Sequence, residues 1–130
     1  MTKKELIEYW VGSSDADFKT MENLLKSEDY SWALFIGHLV IEKLLKAYYV
    51  KTVSDNPPLI HHLLRLAEKT DLSLNEEQKD DLLLITTFNI NVRYPDYKLE
   101  FYKKCTKKYA ETNISKIRRL HLWLVEQILK

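Results

Sequence analysis

The stretch YSWALFIGHLVIEKLLKAYYVKTV, residues 30–53, decides how the rest of the chain must be arranged. Trp32, Phe35, Ile36, Leu39, Val40, Leu44, Ala47 and Tyr48 recur at helical intervals around most of its circumference. His38, Glu42 and Lys46 are each four residues apart, so they stack as one ridge on that helix. A helix that is apolar on most sides and carries one narrow polar line belongs at the centre of a bundle. Its ridge is expected to face a groove or an interface.

Working outward, the preceding segment places Leu6, Trp10, Phe18, Met21 and Leu25 at helical spacing between charges. Gly12-Ser13-Ser14-Asp15 would either bend this helix or lie within a continuous one. On the other side, Asn56-Pro57-Pro58 ends the central helix, because proline disfavours helical geometry in the residue before it. A short helix over about residues 61–69 offers Leu63, Leu64 and Ala67 to the bundle. Ser73-Leu74-Asn75-Glu76 has capping-box spacing and opens another helix with Leu82, Ile85, Phe88 and Val92 inward. Pro95 is expected to close or kink that helix. The last helix starts between Leu99 and Lys107 and turns Tyr109, Ile114, Ile117, Leu120, Leu124 and Ile128 inward. The expected fold is all-α: an antiparallel up-and-down four-helix bundle with an additional short helix, forming one domain over residues 1–130.

Composition agrees with this pattern. Of the 130 residues, 45% are hydrophobic and 30% charged, the balance of a globular chain. Two glycines and three prolines are too few for the frequent turns of an all-β domain. One cysteine, Cys105, can form neither an internal disulfide nor a thiol zinc site. The charged start, Met1 to Leu6, lacks the apolar stretch of a signal peptide, and no uncharged run approaches the ~20 residues of a membrane span. A cytoplasmic protein with no membrane association is the expectation.

The net charge of +1 conceals an uneven distribution. Residues 1–97 hold eleven Lys/Arg against sixteen Asp/Glu. Residues 98–119 hold eight (Lys98, Lys103, Lys104, Lys107, Lys108, Lys116, Arg118, Arg119) against Glu100 and Glu111. Such a basic strip can attract phosphate or the acidic face of another subunit, and most charge runs are simply solvated. Tyr102 and Tyr109 flank the lysines, and phosphate neutralisation by such a strip would give binding with a steep salt dependence.

Several patterns occur in a fixed order: Phe35-x-x-His38, Glu42-Lys43-Leu44-Leu45-Lys46-Ala47, Pro57-Pro58-x-x-His61 and Arg93-Tyr94-Pro95-Asp96. In that order they resemble the HEPN domain (higher eukaryote and prokaryote nucleotide-binding), in its bacterial and archaeal branch with an Arg-Tyr-Pro-Asp motif. The resemblance runs from Trp10 into the last helix. It implies a bundle of four to five helices, often dimeric, and frequently encoded beside a minimal nucleotidyltransferase in a two-component, toxin–antitoxin-like system. Some branches are metal-independent ribonucleases or toxins; others bind nucleotides or only their partner.

Ribonuclease branches place a histidine after an arginine with four to six residues between them. Here Lys98, Leu99 and Glu100 occupy those places after Arg93, and no other arginine has a histidine at that distance. Cleavage through the RNA's own 2′-hydroxyl needs a group that exchanges protons near neutral pH. A lysine stays charged there and holds phosphate without acting as a base. The expectation is therefore a binding protein, with no catalytic residues, cofactor or metal. The alternatives are a ribonuclease toxin that borrows a histidine from elsewhere and a purely structural dimeric module.

Candidate ligand-binding residues are Arg93, Tyr94, Asp96, Lys98, His38, Glu42, Lys43 and Lys46. Lysines and Arg93 would meet phosphate, Tyr94 would stack on a base, and Glu42 would order the lysines. The competing reading makes Glu42–Lys46 an ordinary helix ion pair and the Arg93–Tyr97 segment a packing or dimer element. His61 reads as a helix-start residue bonded to backbone, His121 as a partly buried satisfied group, and Cys105 as a small half-buried residue. Expected partners are a second copy of the chain, a separate nucleotidyltransferase subunit, and nucleotide or RNA.

Overall fold

The structure is a computed structural model; it describes residues 1–93 and 95–130, with side chains described outside 92–96. Six helices occur among the described residues: α1 (Lys3–Lys26), α2 (Tyr30–Thr52), α3 (Leu63–Glu68), α4 (Glu76–Arg93), α5 (Pro95–Lys104) and α6 (Lys107–Leu129). Helix α2 is the hub, packing chiefly against α1 and α6 and also touching α3, α4 and α5. Ala33, Leu34, Ile41, Leu44 and Leu45 of α2 are fully buried, as its all-round apolar sequence requires.

A close approach makes this centre possible. A Cβ on Gly37 would lie 2.5 Å from Ile117 Cδ1 of α6 and 3.1 Å from Met21 Sδ of α1. The missing side chain at Gly37 is therefore space that both flanking helices use. Side-chain ties fix the outer helices. Arg118 of α6 donates two parallel bonds to Glu22 of α1, 2.8 and 2.7 Å long. Lys51 of α2 donates to the carbonyls of Gln127 and Ile128, satisfying the otherwise open C-terminal end of α6.

Helix α1 is continuous through Gly12, one of the two outcomes expected for the Gly-Ser-Ser stretch; Ser14 is buried and donates to the Val40 carbonyl at 2.9 Å. One expectation changes in detail. At α4 the reciprocal cap is made by Asn75 and Gln78, whose side chains accept from each other's backbone N–H at 2.8 and 2.9 Å. Ser73 and Glu76 have the right spacing, but Asn75 serves as well as serine at a cap and brings Gln78 to the third helical position.

A larger correction concerns the helix count. The four-helix-plus-one expectation assigned residues 95–104 to a connection or to the start of the last helix. They form a separate helix, α5. Proline is barred from helix interiors but suits the first helical position, where its missing N–H costs nothing, so Pro95 starts α5 as well as ending what precedes it. Phe101 anchors α5 on α4, its ring centroid 5.7 Å from that of Phe88. Thr106 then caps α6 by accepting from the Tyr109 N–H at 3.2 Å. Among the described residues, no helix is long and apolar enough to cross a membrane.

Candidate functional site

The ridge on α2 lies inside the molecule. His38, Glu42 and Lys46 are all buried; His61, on the segment leading into α3, bonds to the first two, and Trp10 of α1 lies against the third. The His38 Nε2–H donates to the His61 carbonyl at 3.0 Å, and the His61 Nδ1–H donates to Glu42 Oε1 at 2.9 Å. Lys46 Nζ donates to Glu42 Oε2 at 3.1 Å and sits 5.2 Å from the Trp10 ring centroid. One carboxylate thus binds a lysine on one oxygen and a loop histidine on the other.

Burial dominates the chemistry of His38, holding its imidazole below the ordinary histidine value; the His61 carbonyl and Glu42 pull the other way. Its Nδ1 is buried and has no partner among the described residues. A second proton there would have no acceptor, so the neutral ring is the form that fits.

The other histidines are also engaged. His62, rather than His61, is the helix-start residue: its Nδ1 caps α3 by accepting from the Arg65 N–H at 3.2 Å. His121 stacks on Phe18 with centroids 4.3 Å apart, and burial lowers its pKa against the pull of Asp15; its buried Nε2 has no hydrogen-bond partner among the described residues, so it is not the satisfied group expected from the sequence. Cys105 is buried, which pushes its thiol up to about 11 against the opposing field of Lys104. A thiol held protonated in this way is a packing residue, as the sequence reading expected. No group of three or more His, Cys, Asp or Glu that could hold a metal ion occurs among the described residues.

The eight candidate residues do not meet in one place. His38, Glu42 and Lys46 come together with His61. Lys43 turns away to pair with Asp17 of α1 at 2.6 Å. Lys98 lines a different feature altogether, and the side chains of Arg93, Tyr94 and Asp96 lie outside the described part of the chain.

That other feature is a groove of about 800 Å³ between the α1–α2 turn, the first turn of α2 and helix α5. Its walls include Glu28, Asp29 and Trp32 on one side and Lys98, Tyr102 and Lys103 on the other. Lys98 Nζ stands 5.7 Å from the Trp32 ring centroid, within cation–π range. Trp32 is 46% exposed and Tyr102 69% exposed, unusually open for such large apolar rings. The turn is tight: Glu28 has φ 67°, the left-handed region that non-glycine residues rarely occupy. Lys98, Lys103, Lys104 and Lys108 form no ion pair among the described residues. Sequence reasoning identified Lys98 and the lysine strip but assigned Trp32 to the core. The available signal was its place in the first turn of α2, where a helix has only just entered the bundle.

A six-helix bundle wrapped around one central helix, with a polar ridge sealed beneath the α2–α3 segment, defines a compact class of helical domain. The HEPN domain matches residues 7–128, and the chain belongs to that family. In fold it is similar to TT1696 from Thermus thermophilus, a crystal structure with a TM-score of 0.80 at 19% sequence identity. The alignment covers 92% of this chain and 96% of that one. Among curated proteins no relative matches the sequence.

Proposed function

We propose that the protein is a non-catalytic HEPN-domain protein that binds nucleotide or RNA phosphate in the groove between the start of α2 and α5. The observation that carries this reading is the pairing of exposed aromatic rings, Trp32 and Tyr102, with Lys98 and Lys103, which form no ion pair among the described residues. Aromatic faces accept bases while ammonium groups accept phosphate, and the volume falls in the ~300–1,000 Å³ range of small-molecule sites. Binding without cutting is favoured because none of the four histidines lines the groove. Titrating a labelled single-stranded RNA and ATP at two salt concentrations tests the proposal. Salt-sensitive binding that weakens in Lys98→Ala and Lys103→Ala is expected; absence of binding to either ligand sinks it.

A second reading makes the chain the helical partner of a minimal nucleotidyltransferase, or of its own copy, in a two-component system. Leu83 and Ile90 favour it. They lie seven residues apart on one side of α4 and are 44% and 43% exposed, although α4 packs elsewhere against α2, α3 and α5. Ile90→Glu should shift the molecular mass measured by light scattering, or abolish co-purification with a nucleotidyltransferase encoded beside it. An unchanged mass together with undiminished co-purification would count against this surface.

A further inference from the structure

Trp32 and Lys98 belong to different helices and meet across the groove. Trp32 stands near the start of α2 and Lys98 near the start of α5, with the ammonium 5.7 Å from the indole centroid. Phe35, further along α2, packs nearly perpendicular to the same indole, with centroids 5.9 Å apart and ring planes at 88°. The indole is thus braced by its own helix, and the ammonium lies against it from the α5 side. A cation in that position takes up the π surface on which a base would stack. We infer that Lys98 is a specificity-determining residue: it covers Trp32 until an anion draws its ammonium away, so the ring accepts a base only when a phosphate accompanies it. This rests on the binding reading above.

The exchange needs no movement of the helices. Lysine carries its charge on a flexible four-carbon stem, so rotation of side-chain bonds alone can take the ammonium off the ring. Lys98 forms no ion pair among the described residues, which leaves the indole as its described contact. Glu28 and Asp29 line the groove on the Trp32 side and repel phosphate from it, while Lys103 attracts phosphate toward α5. An arriving anion therefore settles where Lys98 must turn to meet it. A cation–π contact at an exposed site amounts to about 2- to 5-fold in an equilibrium constant, and a charge-assisted hydrogen bond to roughly 10- to 100-fold. The phosphate wins the ammonium; an uncharged ligand has to displace it unaided.

The test pairs adenosine with AMP, each titrated against the parent chain, Lys98→Ala and Lys98→Arg. Heteronuclear NMR follows the indole N–H signals, that of Trp32 being assigned with Trp32→Phe. Lys98→Ala should bind adenosine about 2- to 5-fold more tightly than the parent and AMP several-fold more weakly, so the two ligands respond in opposite directions. Lys98→Arg keeps a cation that stacks on aromatic faces and should retain the parent's preference for AMP. Inorganic phosphate alone should shift the Trp32 signal in the parent and much less in Lys98→Ala. Lys98 is exposed, and circular dichroism checks that each variant is folded. If Lys98→Ala weakens AMP without tightening adenosine, Lys98 is a plain phosphate contact; the inference is overturned and the binding reading stands. A phosphate-induced Trp32 shift that is equal in parent and Lys98→Ala, or absent from both, overturns it as well. Failure of adenosine and AMP to bind any of these chains removes the inference together with nucleotide binding.

Discussion

The His38–Glu42–Lys46–His61 cluster and the Trp32–Lys98 groove are built from the same materials, cations beside aromatic rings, yet they are opposites. In the cluster every charge is spent internally: Lys46 and His61 share the two oxygens of Glu42, and Trp10 covers the ammonium. In the groove the lysines form no ion pair among the described residues and the rings are open. The difference lies in desolvation. A buried charge must be matched within the protein, whereas a charge on a wet groove can wait for a ligand. The cluster consequently acts as a latch that holds the α2–α3 segment on α2, and the groove is the surface we propose for binding.

The sharpest way to break this contrast is Glu42→Ala. It would leave a buried lysine and the His61 side chain without their shared acceptor, and losing one partner of a buried pair costs about 3–5 kcal/mol. Urea denaturation should show that loss, with little change in RNA affinity at concentrations where the variant stays folded. Gly37→Val attacks the same core without touching a charge. Overpacking against Ile117 and Met21 should cost about 1–3 kcal/mol in the same measurement.

At the groove the expected effect is on binding rather than stability. The double change Lys98→Ala with Lys103→Ala should lower the salt dependence of single-strand binding by a log–log slope of about 1.4, roughly 0.7 per lost phosphate contact. Its melting temperature should stay near that of the parent chain. A large loss of stability would show that the groove lysines are structural and dissolve the distinction.

The smallest effect expected is a pH dependence belonging to the cluster. Burial keeps the folded His38 imidazole below its ordinary value, so in mildly acidic solution the unfolded chain takes up a proton that the folded chain refuses. Stability should therefore fall as pH drops through the unfolded histidine value of about 6.5 toward the lower folded one. His121, lowered by burial in the same direction, adds to the trend. Denaturation midpoints at pH 7 and pH 5 should differ less in His38→Gln than in the parent. A parent and variant with equal pH sensitivity would assign the dependence elsewhere.

Much of this was legible in residue order. The period of Trp32 to Tyr48 called for a central helix, and the His38–Glu42–Lys46 spacing put three polar groups on one line of it. Local rules of that kind work because helical geometry brings i and i+4 together whatever surrounds them. The same rules left α5 unrecognised, because a proline after a long helix serves equally as an end or a beginning. They also could not say whether the ridge faced solvent or His61, 23 residues along the chain from His38.

By itself, then, the sequence determined a helical bundle, its central element, the separation of an acidic body from a basic strip, and the absence of a ribonuclease-type histidine after Arg93. Tertiary structure alone decided that the ridge is sealed under the α2–α3 segment, that Lys43 leaves it for Asp17, and that Trp32 meets Lys98 across a groove. The physical reason is range. Periodicity, capping and net charge are properties of neighbouring residues, whereas burial and cavity shape depend on which distant helices pack together. Trp32 and Lys98 face each other across it only because α5 is docked beside the start of α2.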